Sequence, residues 1–419
     1  MNPLRETPPS AELLPPQFGS GATAAFRTLR ELAPVVRVEM PEGLTAWVIT
    51  RHAEGRRALR DPRFAKDLRR LTDPEHGLAG RRYAEDLYIT NGRHMLNSDG
   101  ADHERLRGVV AGPLSAQSAA RRLGEIESVV RTVLDDIQAD EIDLLSAYGQ
   151  PVPELVLGRV LGMPPQTMSD AAPLTRRLGR RENPESPPMR RAFADLVDLI
   201  RETTREPVPE PSQGTVIGAL QAAAAEHRIN RREVTSTVMM LLSAGLTSTA
   251  IAIVQGAATL SETAAALRAM LGDEAESRVL VEELLRHHPP FPFSPWRFAR
   301  EPVEVAGTLI PAGAVVFVLL AAANRDPAAY EEADEVRPRR TGQPAHLAFG
   351  HGPHYCVGAP LARAQIRVAL RELFHRFPHL GPAVPLDTTR WIGLLFDRTP
   401  VALPVRLGLR SNHVPAQGS

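Results

Sequence analysis

One thiol, Cys356, stands in the stretch FGHGPHYCVG from Phe349 to Gly358, and it is the only cysteine in 419 residues. Alone it can form no internal disulfide, and thiolate zinc sites in their usual forms need at least two sulfurs. What remains is a small buried core residue or a thiolate that binds iron. The neighbours make chemical sense of the second. Gly350 and Gly352 permit a tight turn that other residues resist, and Gly358 lets the following segment approach closely. PLARAQIRVALRELF then has helical periodicity, with Pro360 suited to a first turn. Cys356 therefore falls just before a helix N-terminus, where amide N–H groups and the positive end of the dipole stabilise a thiolate.

A second group able to do chemistry is a run of hydroxyls, Thr247, Ser248 and Thr249, which follows Ala244 and Gly245 in VTSTVMMLLSAGLTSTAIAIVQGAATL. Such hydroxyls can pass protons through bound water, or they can bond back to carbonyls of their own helix. Asn230 and Glu233 are spaced as a capping box, which predicts a helix from about Asn230. No charge occurs from Val234 to Ser261, a length that a membrane span would need. Recurrent Ser, Thr, Gly and Gln, without flanking basic or aromatic anchors, point instead to a helix buried on all sides of a helical core.

The rest of the chain must position these groups. Apolar residues make up 43%, enough for one large core, and no low-complexity hinge divides the sequence. A single domain over 1–419 is expected, with an extended Pro-rich lead-in over 1–25 and a flexible tail over 408–419. Lysine plus arginine (49) balance aspartate plus glutamate (49), so no global field points to nucleic acid or an anionic membrane. The opening MNPLRETPPSAELLPP has no apolar leader, and a cytoplasmic protein is expected. AWVIT (Ala46–Thr50) reads as a strand, followed by a short helix that ends before Asp61-Pro62 and a polar loop from Phe64 to Ser98. From Asp99 helical patterns dominate, broken by Pro-rich connections at Arg181–Pro188 and Glu206–Gly214. VEV, TLI and AVVFVLL read as a small hairpin system, which makes the protein mostly α with a minor sheet.

The pattern Phe-x-x-Gly-x-His-x-Cys-x-Gly, here Phe349, Gly352, His354, Cys356 and Gly358, resembles the haem-binding loop of the cytochromes P-450 at every fixed position. Other segments resemble that family in the same order, from about Ala46 to Arg406, and the soluble bacterial type in particular. Glu283 and Arg286 in EELLR are similar to its Glu-x-x-Arg pair; spacing alone would make them an ordinary surface ion pair. NRDP (Asn324–Pro327) and Arg340 are similar to the segment that completes a buried network with that pair. DGADHERLR resembles the His-x-x-x-Arg helix, which implies that His103 and Arg107 bind haem propionates, and WRFAR places Arg297 as a further partner beside His354. The resemblance thus implies one mostly helical domain around haem b (iron protoporphyrin IX), with Cys356 as axial ligand in a loop that includes Phe349 and Gly350. A thiolate ligand pushes electron density onto iron and favours O–O cleavage.

One departure stands out. Where the family usually shows Ala-Gly-x-acid-Thr-Thr, this chain has Thr247 in place of the acid and Ser248 in place of the first threonine. The charged proton relay is missing, and a water-linked path through hydroxyls or through the substrate's own groups is left. The resemblance implies a monooxygenase that acts on a small organic molecule in secondary metabolism, or a related enzyme that couples two centres without inserting oxygen. A non-catalytic binding partner and a haem sensor fit less well, since Cys356, Glu283 and Arg286 are all kept and no output domain is visible. With no flavin or nicotinamide fingerprint in the chain, electrons are expected from a ferredoxin and its reductase. That partner would dock near Arg105, Arg363 and Arg367, on a monomer. The pocket is expected near Leu241, Phe291, Ser294 and Leu395. Arg176, Arg177, Arg180, Arg181, Arg190 and Arg191 crowd its roof, as an anion-facing or a solvated basic face.

Overall fold

The computed structural model describes residues 10–12, 22–40, 44–67, 92–179, 186–205, 214–392 and 399–408. Its organising element is the helix Arg231–Glu262, which starts at the expected cap. Asn230 Oδ1 accepts from the Glu233 amide, and the Glu233 carboxylate accepts from the Asn230 amide, each at 2.9 Å. The same carboxylate takes Arg105 at 2.7 Å, which ties the helix start to the helix Gly100–Ala111. This central helix is long and apolar enough to cross a membrane, but 72% of its most apolar window is buried inside the protein.

The reason is that helices surround it: Pro151–Leu161, Pro165–Leu178, Pro187–Thr203, Val216–Ala225, Glu274–His287 and Ala359–Arg376 all pack on it. An all-round apolar helix is stable in water only inside such a shell. Gly256 marks a close approach, because a Cβ there would sit 3.0 Å from Leu370 of Ala359–Arg376.

A six-stranded sheet lies beside the helices, in the order Ser10–Glu12, Val35–Met40, Leu44–Ile49, Val315–Val318, Arg297–Ala299, Phe64–Ala65. Its core is a cluster of Phe26, Val36, Val48, Phe293, Trp296, Phe298 and Phe317. VEV and TLI form the expected antiparallel hairpin through Ala306 and Gly307, both at positive φ. AVVFVLL departs from expectation: Val315–Val318 leaves the hairpin and pairs in parallel with Leu44–Ile49, while Leu320 starts a helix. All four residues of Val315–Val318 are buried, which suits a central strand and not an exposed hairpin arm.

The lead-in ends sooner than expected. Ala22–Leu32 is a helix that buries Phe26, Leu29 and Arg30 along one face, and Val35–Met40 is a strand. The polar loop also carries structure at its ends, with the short strand Phe64–Ala65 and a 3₁₀ turn at Met95–Asn97. Residues 68–91, most of both Pro-rich connections and the tail from 409 lie outside the described residues.

Candidate functional site

The cysteine loop is shaped by left-handed backbone. Gly350 and Gly352 have φ of 74° and 79°, and a Cβ on Gly352 would lie 3.0 Å from the Leu59 carbonyl. The Cys356 amide donates to the Phe349 carbonyl at 2.9 Å, which closes the loop onto itself. Helix Ala359–Arg376 follows with Gly358 as its N-cap. Burial pushes the Cys356 thiol up; the amides of Gly358 and Ala359, with Arg107 and Arg363, pull the other way. Cys356 is exposed at its own surface although protein encloses it, as expected of a group that faces an internal space.

His103, Arg297 and His354, from three separate elements, come together. The rings of His103 and His354 stand 4.2 Å apart, and His354 Nε2 lies 3.3 Å from Asp99 Oδ1. Burial pushes His354 down to about 3, against its bond to Asp99. Burial works to raise Asp99, but His354 and the amides of Asp67 and Lys66 outweigh it and hold it below its ordinary value. Arg297 is fully enclosed and lowered by burial to about 10. It donates to the carbonyls of Phe64 (3.2 Å) and Leu59 (3.1 Å). Arg107 is half-buried and feels the charge of Cys356. Two buried donors in this group, His103 Nε2 and Arg297 Nε, have no hydrogen-bond partner among the described residues. A buried donor without an acceptor costs about 1–3 kcal/mol, so the group fits an anionic cofactor that supplies acceptors there. A porphyrin with two carboxylates and an iron for Cys356 satisfies both demands.

The sequence reading missed Lys66 and Asp99, and no local pattern marks them. Lys66 lies in what reads as a polar loop, and Asp99 reads only as the start of a helix. Both acquire their environment from distant segments.

On the central helix, Ala244 is exposed and Ser243, Gly245, Thr247 and Ser248 are partly so, while the residues on either side of this stretch are buried. An exposed patch midway along a core helix faces an internal space. Ser248 Oγ donates back to the Ala244 carbonyl at 2.6 Å, and Thr249 is buried. Leu241 is buried, Phe291 is partly exposed, and Leu395 lies outside the described residues. Ser294 is locked to the sheet, with its amide donating to the Val318 carbonyl and its hydroxyl accepting from the Val318 amide. Arg176 pairs with Glu154 at 2.8 Å, and Arg177, Arg190 and Arg191 are exposed, the arrangement of a solvated basic face. Arg180 and Arg181 lie outside the described residues.

Glu283 and Arg286 form a buried pair at 2.8 Å, and Arg340 adds a second arginine to Glu283 at 3.1 Å. The surface pair that spacing alone suggests is therefore replaced by a core network. The three arginines expected to greet a redox partner are already engaged. Arg105 holds Glu233 and Asp102, and Arg367 is buried. Arg363 is bidentate to Glu282 (2.6 and 2.8 Å) and lies over the Phe349 ring at 4.4 Å. Such pairing cancels the charge that docking needs. Arg56 and Arg60, by contrast, are exposed, form no ion pair among the described residues, and help to lower His351 in the cysteine loop after burial.

Residues 278–403 match the family model described as Cytochrome P-450. Cytochrome P-450 107B1 of Saccharopolyspora erythraea is 33% identical, over 91% of this chain and 94% of its own length. The cytochrome P-450 monooxygenase PikC of Streptomyces venezuelae is 30% identical, over 96% and 95%. The solved structure of CxnD, a cytochrome P-450 enzyme for C–S bond formation in chuangxinmycin biosynthesis, superposes with a TM-score of 0.85 at 26% identity, covering 94% of this chain and 95% of that one.

Proposed function

This chain belongs to the cytochrome P-450 family, and from that premise we propose that it is a haem-thiolate monooxygenase of secondary metabolism with Cys356 as axial ligand. The observation that carries this reading is a single enclosed thiol, held by amide N–H groups at a helix start and facing an internal space. Bound haem b supplies, through the thiolate, the electron push that favours O–O cleavage. His103, Arg107, Arg297 and His354 would hold its carboxylates.

The chain's own residues set the proton supply. No carboxylate lies on the central helix between Glu233 and Glu262, and Glu233 is taken by its cap and by Arg105. Ser248 spends its proton on the Ala244 carbonyl, which leaves its oxygen able only to accept. To donate, it must rotate off that carbonyl. A neutral hydroxyl in that state is a poor replacement for an acid–hydroxyl pair, which favours a relay through polar groups of the substrate.

The same deficit supports a second reading, oxidative coupling of two centres without oxygen insertion. The similarity to CxnD, the enzyme for C–S bond formation in chuangxinmycin biosynthesis, points the same way. Electrons would come from a ferredoxin and its reductase to a cytoplasmic monomer, with Arg56 and Arg60 on the docking face.

The thiolate assignment is tested by the reduced carbon monoxide spectrum. Wild type should show the thiolate-haem band and Cys356→Ala should lose it; a histidine-type spectrum in wild type rejects the reading. Ser248→Ala separates the relays: nearly unchanged coupling supports the substrate route, while peroxide release supports the protein hydroxyl. Product mass under labelled dioxygen distinguishes insertion from coupling.

A further inference from the structure

Phe64–Ala65 runs antiparallel to Arg297–Ala299, with Phe64 opposite Ala299 and Ala65 opposite Phe298. The next step of that register sets Lys66 against Arg297. Like charges directly opposed on an antiparallel pair repel, and here both side chains are buried, at 2% and 4% exposure. A lysine is almost never buried to that degree without a counter-charge.

The neutralising groups in reach are few. Among the described residues Lys66 Nζ has one hydrogen-bond acceptor, the Trp296 carbonyl at 2.9 Å, and it lies 5.3 Å from the Trp296 ring. Asp99 spends its carboxylate on the amides of Lys66 and Asp67 and on His354. Asp61, the other acid felt by Arg297, is engaged by Arg63. His94, which also feels Lys66, is driven neutral by burial, and burial lowers His103 as well. Lys66 and Arg297 thus both depend on Asp99, whose carboxylate already serves two amides and His354, while Arg107 feels Cys356. A group with two carboxylates would supply counter-charge to all three.

We propose that Lys66 is a cofactor-binding residue, the cation that with Arg297 and Arg107 balances the dianionic edge of the haem. Burial, reinforced by Arg297, pushes the Lys66 ammonium well below its ordinary value, and an anion shared between the two heads would hold both charged; the cross-strand register sets those heads on one side of the sheet. The lysine is a point charge on a flexible stem, so it needs no fixed fork geometry to serve. This inference rests on the haem-thiolate reading.

The test uses the holoprotein with excess apomyoglobin as haem acceptor, and follows the rate of haem loss. Lys66→Met should release haem at least about tenfold faster, the scale expected when one partner of a buried charge pair is removed, and Lys66→Arg should stay near the wild-type rate. The reduction potential of Lys66→Met should also fall, since a nearby positive charge favours the reduced haem. Wild-type haem loss in Lys66→Met overturns the proposal, whether or not its melting temperature changes, because the lysine is then only a prop for Trp296. Should Lys66→Met fail to fold, Lys66→Gln serves with the same criteria. The carbon monoxide band of each variant, recorded before transfer, reports the thiolate assignment independently, so either idea can fail alone.

Discussion

Two buried groups of charge in this protein are built on opposite plans. Around Arg286 every donor is used: Nε and one terminal nitrogen meet Glu283 at 2.8 Å, and the rest reach the carbonyls of Asn324, Ala333 and Glu335 at 2.7–2.8 Å. Arg340 closes the remaining face of Glu283 and bonds the carbonyls of Glu331, Glu332 and Glu335. Around Arg297 the plan is open. Among the described residues its Nε and His103 Nε2 have no acceptor, and Lys66 faces it with one carbonyl for its own ammonium. A closed network holds the chain together; an open one of the same residue types waits for a ligand.

The largest effect expected from this contrast is on the closed side. Arg286→Met leaves the buried Glu283 with Arg340 as its one cation beside the Arg337 amide, and should cost about 3–5 kcal/mol in a denaturant titration. A cost under about 1 kcal/mol would mean that the network is not what fastens the Glu274–His287 helix to the Asn324–Arg340 segment. Arg297→Met should cost less than half as much, because the loss of two carbonyl contacts is offset by relief of its repulsion with Lys66, while haem retention drops. Equal destabilisation by the two variants would erase the distinction.

The open group also predicts a pH dependence. Burial, reinforced by Lys66, pushes His94 down to about 3, below its unfolded value near 6.5. A depressed folded value means that the unfolded chain binds the extra proton, so stability is full above about pH 6.5 and falls as pH drops toward 3. His94→Asn keeps an acceptor for the Leu96 amide and removes the titration. The slope of stability against pH between 6 and 4 should fall by about 1.4 kcal/mol per unit. An unchanged slope would show that His94 is not held neutral. The smallest effect belongs to exposed charge: Arg56→Glu with Arg60→Glu should slow reduction by ferredoxin roughly threefold at low salt and little at high salt. No salt dependence in wild type would remove this face from docking.

How much of this was legible depended on how local the cause was. The cysteine loop could be read because its turn needs glycine at fixed offsets and its helix start follows within three residues. The central helix was legible through its cap and its uncharged length. AVVFVLL was assigned the right state but the wrong partners, since a buried apolar run carries no register of its own. The start of the helix Ala22–Leu32 overlaps the expected Pro-rich lead-in because the prolines before it dominate the local signal. Basic residues on the cysteine side do not show in the sequence whether they are engaged, and Glu282, Glu233 and Glu274, which engage Arg363, Arg105 and Arg367, come from other helices.

By itself the sequence determined the family, a mostly helical chain, the one thiol that can serve as a ligand, and the lack of an acid beside Ser248. Each of these is a property of residue type at short spacing. Only the tertiary structure decided which charges are paired. Lys66 is an unremarked residue of a polar stretch until strand pairing sets it against Arg297, 231 positions away in the chain. Glu283 and Arg286 are an ordinary helical pair until Arg340 and the carbonyls of a distant segment enclose them. Electrostatic energy depends on distance and on exclusion of water, and neither quantity exists until the chain has folded.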